Sequence, residues 1–171
     1  MEYIKSVYGE NEIRKSAFID LGSGIGRAVV ALACLYPFKK CIGIEYLEML
    51  HDIGLDIKSK YDKKFEENFN NYKDSFFQNY DSIPQIELIN GDFLTCNWSE
   101  ASFILANSTC FSNELMSSLA KKADEELKPG SFFVTFTKKL PGLSEKWEVK
   151  EGFRRLMSWG IATIYVHHKK N

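Results

Sequence analysis

Three glycines at alternate positions, Gly22, Gly24 and Gly26, are the feature of this 171-residue sequence that points most directly to chemistry. They follow a short apolar run, residues 17–21, and precede an apolar stretch with the pattern of a helix, residues 28–33. Glycine lets the backbone turn tightly and lets a ligand approach where a side chain would block it. The free N–H groups at the start of the next helix would point at that ligand. The alternative is an ordinary turn between strand and helix.

Two acidic residues accompany these glycines. Asp20 lies two residues before the first glycine, so the pattern is D-x-G-x-G-x-G rather than the dinucleotide fingerprint G-x-G-x-x-G. Glu45 lies 25 residues after Asp20, at the end of the next predicted strand. An acid at this position is placed to accept hydrogen bonds from the ribose hydroxyls of a nucleotide-like ligand. The alternative for Glu45 is a surface carboxylate at a strand end.

Two later strand ends carry further candidate ligand-binding residues. Asp92 and Phe93 follow the predicted strand 85–90. In this architecture the acid can accept from the exocyclic amine of adenine while the ring packs on the base; a turn that Asp92 caps is the alternative. Asn107 begins the loop after the predicted strand 102–106. Ligands bind at this edge in open α/β sheets, although a plain polar connection would have the same composition.

The hydrophobic patterns predict the elements that must position these residues. Strands and helices alternate along the chain and end in a hairpin, which indicates an α/β protein with a seven-stranded, mostly parallel sheet and a C-terminal antiparallel hairpin. A short segment, residues 1–16, precedes a ligand-binding domain of residues 17–171. The predicted strands are 17–21, 41–45, 85–90, 102–106, 131–137, 147–156 and 161–168, and the predicted helices are 25–35, a long aromatic-striped helix from 47, and 112–127.

Composition excludes several classes of function. A net charge of −1 with both signs well mixed gives no general attraction to nucleic acid or to an anionic membrane. No apolar run approaches the ~20 residues of a membrane span. Four cysteines, at 34, 41, 96 and 110, have no C-x-x-C or zinc-ligand spacing. We therefore expect no metal site, and reduced cysteines in an intracellular protein, cytoplasmic or nuclear.

The D-x-G-x-G-x-G turn resembles motif I of the class I methyltransferases, which bind S-adenosylmethionine. With four further stretches, the sequence is similar to the non-SET histone-lysine methyltransferases, the disruptor-of-telomeric-silencing type. Ser108 stands where that family has the second of two loop asparagines, and Arg27 where it has a glutamine-like residue. The further stretches are Tyr8-Gly9-Glu10, Gly43-Ile44-Glu45, Gly91-Asp92-Phe93-Leu94 and Ala106 through Glu114, with Ser158-Trp159 as a later addition.

This resemblance implies a Rossmann-like class I methyltransferase fold, S-adenosylmethionine as the cofactor, and roles for particular residues. The three glycines would leave room for the methionine part of the cofactor. Glu45 would bind the ribose, and Asp92 with Phe93 would bind the adenine. The implied cofactor-binding residues are Asp20, Gly22, Gly24, Gly26, Glu45, Asp92, Phe93 and Asn107, and the residues implied on the catalytic side, along the acceptor channel, are Asn107, Phe111 and Trp159.

The predicted function is methyl transfer from S-adenosylmethionine, with protein lysine as the acceptor that the resemblance implies. Two alternatives stay open from the sequence. The acceptor could be a small molecule, whereas the lack of a basic patch argues against RNA. The fold could also be a binding module that holds the cofactor or a partner without turnover. An NAD oxidoreductase is disfavoured because the third glycine falls one residue early for the dinucleotide fingerprint.

Overall fold

The computed structural model describes residues 4, 16–72, 80, 82–157 and 160–170. The chain divides into two units, Met1–Phe93 and Leu94–Asn171. In the first unit a strand alternates with a helix twice before a third strand ends it. Its elements are β1 Ala17–Leu21, α1 Arg27–Leu35, β2 Lys40–Glu45, α2 Glu48–Tyr72 and β3 Gln85–Asn90.

The three strands of the first unit are parallel neighbours in the order β3-β2-β1. Asp20 pairs with Gly43, and Glu45 pairs with Asn90. Every residue of β1 is buried, as are the last five of β2. Because parallel strands end at the same edge of a sheet, the glycine turn after β1, Glu45 and the segment after β3 all lie at that edge.

Helix α2 covers the sheet of the first unit with the aromatic stripe seen in the sequence. Tyr61, Phe65 and Phe69 are all buried, and the ring centroids of Tyr61 and Phe65 lie 4.9 Å apart. The stripe is therefore core packing, as its periodicity predicts. A Cβ at Gly54 of this helix would lie 3.1 Å from Cδ1 of Leu88 on β3. The missing side chain lets α2 pack closely against this leucine.

The second unit contains a four-stranded sheet in the order β4-β5-β7-β6. Strands β4 and β5 are parallel, whereas β7 is antiparallel to both β5 and β6. Ser112 caps the helix of this unit as predicted, because its Oγ accepts the Leu115 N–H at 3.1 Å. The elements are β4 Ala101–Ala106, a 3-10 turn Ser108–Cys110, α3 Asn113–Glu126, β5 Phe132–Phe136, β6 Trp147–Met157 and β7 Gly160–Lys169.

Two buried polar side chains of β7 tie the second unit together. The fully buried ring of His167 donates from Nδ1 to the Phe133 carbonyl at 2.8 Å and accepts the Leu140 N–H on Nε2 at 3.1 Å. Burial lowers the pKa of His167 to about 4, so the ring is neutral at pH 7. Lys169 Nζ donates to the carbonyls of Asp124 and Leu127, which satisfies acceptors left open at the end of α3.

The predicted fold class is confirmed: the seven strands of the described residues are mainly parallel and end in an antiparallel hairpin. One boundary was wrong by two residues, since α1 begins at Arg27 and not at Ile25. Gly24 and Gly26 have φ of 55° and 76°, which no right-handed helix contains. Residues 73–79, onto which the predicted long helix continues, lie outside the described residues. None of the helices that the structure describes is long and apolar enough to cross a membrane.

Candidate functional site

The turn between β1 and α1 is built from three glycines in the left-handed region. Gly22, Gly24 and Gly26 have φ of 73°, 55° and 76°. The N–H groups of Gly22 and Ser23 both donate to the Ile44 carbonyl, at 2.9 and 3.1 Å. Residues with a Cβ rarely adopt these angles. The alternation that the sequence shows is therefore a requirement of the backbone at this turn.

Gly24 leaves open space beside the turn. No described atom lies within 4 Å of the position that its Cβ would take. Its amide N–H donates to Oε2 of Glu45 at 2.7 Å. The opening at Gly24 thus borders a carboxylate on the next strand, which is the arrangement expected of a glycine that admits a ligand.

Glu45 is a buried carboxylate with a defined orientation. The residue is only 8% exposed, which does not fit the surface carboxylate considered from the sequence. Its Oε2 accepts the Gly24 N–H at 2.7 Å, and its Oε1 accepts the Leu47 N–H at 2.9 Å. Each carboxylate oxygen has two lone pairs. One acceptor position on each oxygen therefore remains for a ligand, and this pair matches two neighbouring hydroxyl donors.

Asp20 is the second acid of the site and is 5% exposed at the end of β1. Burial, and secondly the negative charge of Glu45, raise the pKa of Asp20 from 3.8 to about 7. Its charged form is thus disfavoured in the folded chain. Near neutral pH the Asp20 carboxyl is therefore only partly ionised.

The buried Asp20 predicts a pH-dependent stability. Since the folded chain binds this proton more tightly than the unfolded chain, the contribution of Asp20 to the free energy of unfolding should fall as pH rises from about 4 to about 7. At about 1.4 kcal/mol per pH unit, this contribution falls by roughly 4 kcal/mol. The lowered pKa of His167 acts in the opposite direction over much of the same range, so the effect of Asp20 is the difference between Asp20→Asn and the wild type. The free energy of unfolding of Asp20→Asn should rise relative to that of the wild type as pH rises. Urea unfolding from pH 4 to pH 8 measures this, with the exposed Asp52→Asn as control; parallel profiles for Asp20→Asn and wild type would refute the account.

The end of β3 is tied to the end of β2. The Asn90 side-chain amide donates to the carbonyls of Glu45 and Tyr46, at 3.0 and 3.3 Å, and the Gly91 N–H donates to the Glu45 carbonyl at 2.9 Å. Asp92, which follows, is exposed, and Phe93 is half-buried. The structure therefore brings this acid and this ring to the same sheet edge as Glu45.

Tyr46 is a residue that sequence reasoning missed. Its side chain directly follows Glu45 and is 72% exposed, although tyrosine is usually at least partly buried. An exposed ring beside the buried Glu45 carboxylate is suited to packing on a planar group of a ligand. The signal was available, because an aromatic residue comes immediately after the strand-terminal acid.

The second unit contains the predicted loop after β4. Asn107 is exposed at its start, and Phe111 is half-buried at its end. The Thr109 hydroxyl donates to Asn107 Oδ1 at 3.0 Å, and the Phe111 carbonyl accepts from Lys138 Nζ. The loop is thus hydrogen-bonded to its surroundings at both ends. Trp159, with Ser158 and the Tyr8-Gly9-Glu10 stretch, lies outside the described residues.

The fold and the glycine turn followed by a strand-terminal acid define a class I methyltransferase fold. An RNA methyltransferase from Salinibacter ruber, solved in complex with S-adenosyl-L-homocysteine, matches with a TM-score of 0.67 and 16% identity over 99% of this chain and 90% of that one. An rRNA methylase from Streptococcus thermophilus matches with a TM-score of 0.60 and 12% identity, over 93% and 89% of the two chains. At such identities the likeness establishes the fold alone.

The family profile described as "Histone methylation protein DOT1" matches residues 1–151, and the chain belongs to this family. A Caenorhabditis elegans protein named "Histone-lysine N-methyltransferase, H3 lysine-79 specific" is 33% identical over 131 residues, 74% of this chain and 13% of the relative. A Drosophila melanogaster protein of the same name is 30% identical over 102 residues, 57% of this chain and 5% of the relative. The chain thus spans a small part of these relatives' length. The resemblance stated from the sequence is confirmed.

Proposed function

We propose that this chain is an S-adenosylmethionine-dependent methyltransferase that acts on protein lysine. The observation that carries the proposal is the buried Glu45 carboxylate, hydrogen-bonded to Gly24 in the glycine turn and keeping one acceptor position on each oxygen. Membership of the histone methylation family supports the choice of a protein acceptor.

The described residues of the first unit fit this cofactor. Glu45 would accept both ribose hydroxyls on its remaining lone pairs. The open side of Gly24 would receive the methionine part, and Asp92 with Phe93 would hold the adenine. When bound, S-adenosylmethionine supplies an activated methyl group on its sulfonium.

The acceptor side is proposed to use Asn107, Phe111 and Trp159. Aromatic walls suit the aliphatic stem of a lysine and strip water from its ammonium group. Desolvation lowers the pKa of lysine from its usual value of about 10.4, so the amine can lose its proton before it accepts a methyl group. The protein's contribution is to align the amine and exclude water, and this requires no dedicated general base.

The proposed substrate class is histone. The two curated relatives are named for H3 lysine 79. The region that the family profile matches includes the glycine turn, Glu45 and the Asn107 loop. A histone substrate would place the protein in the nucleus.

A transfer assay with tritium-labelled cofactor tests the proposal. Recombinant histone H3, assembled nucleosomes, total RNA and a protein-free metabolite extract are incubated separately with the chain. We expect label in the histone or nucleosome fraction. Label in RNA or metabolites alone would overturn the proposed acceptor. Calorimetric binding of the cofactor without transfer to any fraction would instead favour the binding module.

A further inference from the structure

A strained turn follows β5 in the second unit. Among the described residues other than glycine, Thr137 has a positive φ, of 67°. The Lys138 N–H donates to the Phe136 carbonyl at 2.7 Å, so Thr137 is the central residue of a γ-turn with positive φ. Such a turn is rare, and a β-branched residue with positive φ is an outlier in proteins.

Three further hydrogen bonds hold this turn. The Thr137 N–H donates to the Thr163 carbonyl at 2.7 Å. The buried Ser108 hydroxyl donates to the Phe136 carbonyl at 2.7 Å, and the Thr135 hydroxyl donates to the Lys138 carbonyl at 2.6 Å. Backbone strain persists where the surroundings over-determine it, and it is concentrated at functional sites. The Thr137 side chain is thus presented at a fixed position.

That side chain begins a directed hydrogen-bond chain. The hydroxyls of Thr137 and Thr109 lie 3.1 Å apart, and Thr109 donates to Asn107 Oδ1 at 3.0 Å. A hydroxyl has one hydrogen to donate, so Thr137 donates to Thr109 and Thr109 donates to Asn107. With one Oδ1 lone pair engaged, the exposed carboxamide of Asn107 keeps its two N–H donors and one acceptor position for a ligand.

We propose that Thr137 and Thr109 are positioning residues that orient the Asn107 carboxamide towards the methyl acceptor. Held in this way, the amide presents two N–H groups that can donate to an oxygen of the acceptor and one Oδ1 lone pair that can accept from its amine. The proposal rests on the proposed function for the nature of the ligand. The orientation of Asn107 rests on the second unit alone.

Nuclear magnetic resonance tests the orientation without any substrate. Loss of the Thr109 hydroxyl in Thr109→Val should shift the side-chain amide signals of Asn107, and Thr137→Val should shift them in the same direction by less. Ser118→Ala removes a hydroxyl from the exposed face of α3 and should leave them unchanged. Asn107 signals that move in neither threonine variant would overturn the proposal, even if the chain proves to be an active methyltransferase.

Kinetics test the role. With histone H3 as the probe, both valine variants should lower kcat/KM by roughly fivefold to tenfold, the effect of one hydrogen bond. The dissociation constant of S-adenosylhomocysteine should stay within about twofold of the wild type. Thr137→Ser keeps the hydroxyl and should therefore keep the activity that Thr137→Val loses.

Thr137→Gly removes the hydroxyl and the backbone strain together. It therefore tests the role of the hydroxyl even if the valine variant fails to fold. Glycine adopts positive φ without strain, so this variant should melt a few degrees higher and yet lose activity as Thr137→Val does. Full activity in Thr137→Gly would show that the hydroxyl does nothing and would overturn the proposal.

Discussion

We expect Gly24→Val to abolish detectable binding of S-adenosylmethionine and S-adenosylhomocysteine in calorimetry. The dissociation constants should rise by a factor of at least roughly 100, or about 3 kcal/mol. The valine side chain would fill the open space that borders Glu45. Its β-branched side chain is also strained at the φ of 55° at this position. The backbone would shift, and the N–H donor that orients Glu45 would move with it.

Gly142→Val is the matched control for the strain. Gly142 lies in the second unit with φ of 62°, and the site of its Cβ is likewise clear of the described atoms. This variant should lose stability as Gly24→Val does but keep its affinity for the cofactor. Both variants are titrated at a temperature where circular dichroism shows them folded. Intact binding in Gly24→Val, or an equal loss in both, would contradict the assignment of Gly24.

Glu45→Gln should weaken cofactor binding by roughly tenfold to 150-fold, which corresponds to about 1.5–3 kcal/mol for hydrogen bonds to a charged group. The glutamine amide keeps one acceptor oxygen. Its NH₂ group would face the N–H of Gly24 or Leu47, each of which donates to the carboxylate in the wild type. The variant therefore loses an acceptor for a ribose hydroxyl and also loosens the glycine turn.

Glu48→Gln controls for the loss of charge. Glu48 is exposed in the first turn of α2, three residues from Glu45, and neither Gly24 nor Leu47 donates to it. The affinity of the Glu48→Gln variant for S-adenosylhomocysteine should match that of the wild type. A dissociation constant that is unchanged in Glu45→Gln would remove the ribose role. Equal weakening in both variants would indicate that only the net charge matters.

The parts of the site predicted from the sequence are those with a local signal. Glycine is what the positive φ at Gly22, Gly24 and Gly26 requires, so the turn could be located without a structure. Glu45 could be located because it ends an apolar strand. The start of α1 was misplaced because apolar periodicity continues through Ile25, whereas the left-handed Gly26 delays the helix.

The rest of the site depends on contacts between residues distant in sequence. Threonine disfavours positive φ, so nothing local predicts the turn at Thr137. Its conformation is held by hydroxyl and backbone groups from other segments, including Ser108. From the sequence Ser108 was only a departure from the family pattern, whereas in the structure it holds the strained turn. The raised pKa of Asp20 likewise depends on burial and on the charge of Glu45.

Trp159 stays a prediction. Truncation to alanine should cut methyl transfer and leave the melting temperature nearly unchanged if the ring lines a channel. In a core position the same change would cost ~3–5 kcal/mol of stability.

The most direct test of the central claim is mass spectrometry of histone H3 after incubation with the chain and S-adenosylmethionine carrying a deuterated methyl group. The account predicts the heavy methyl on a lysine side chain, present with wild type and Gly142→Val and absent with Gly24→Val. Heavy methyl at a residue other than lysine, or transfer that persists in Gly24→Val, would contradict it.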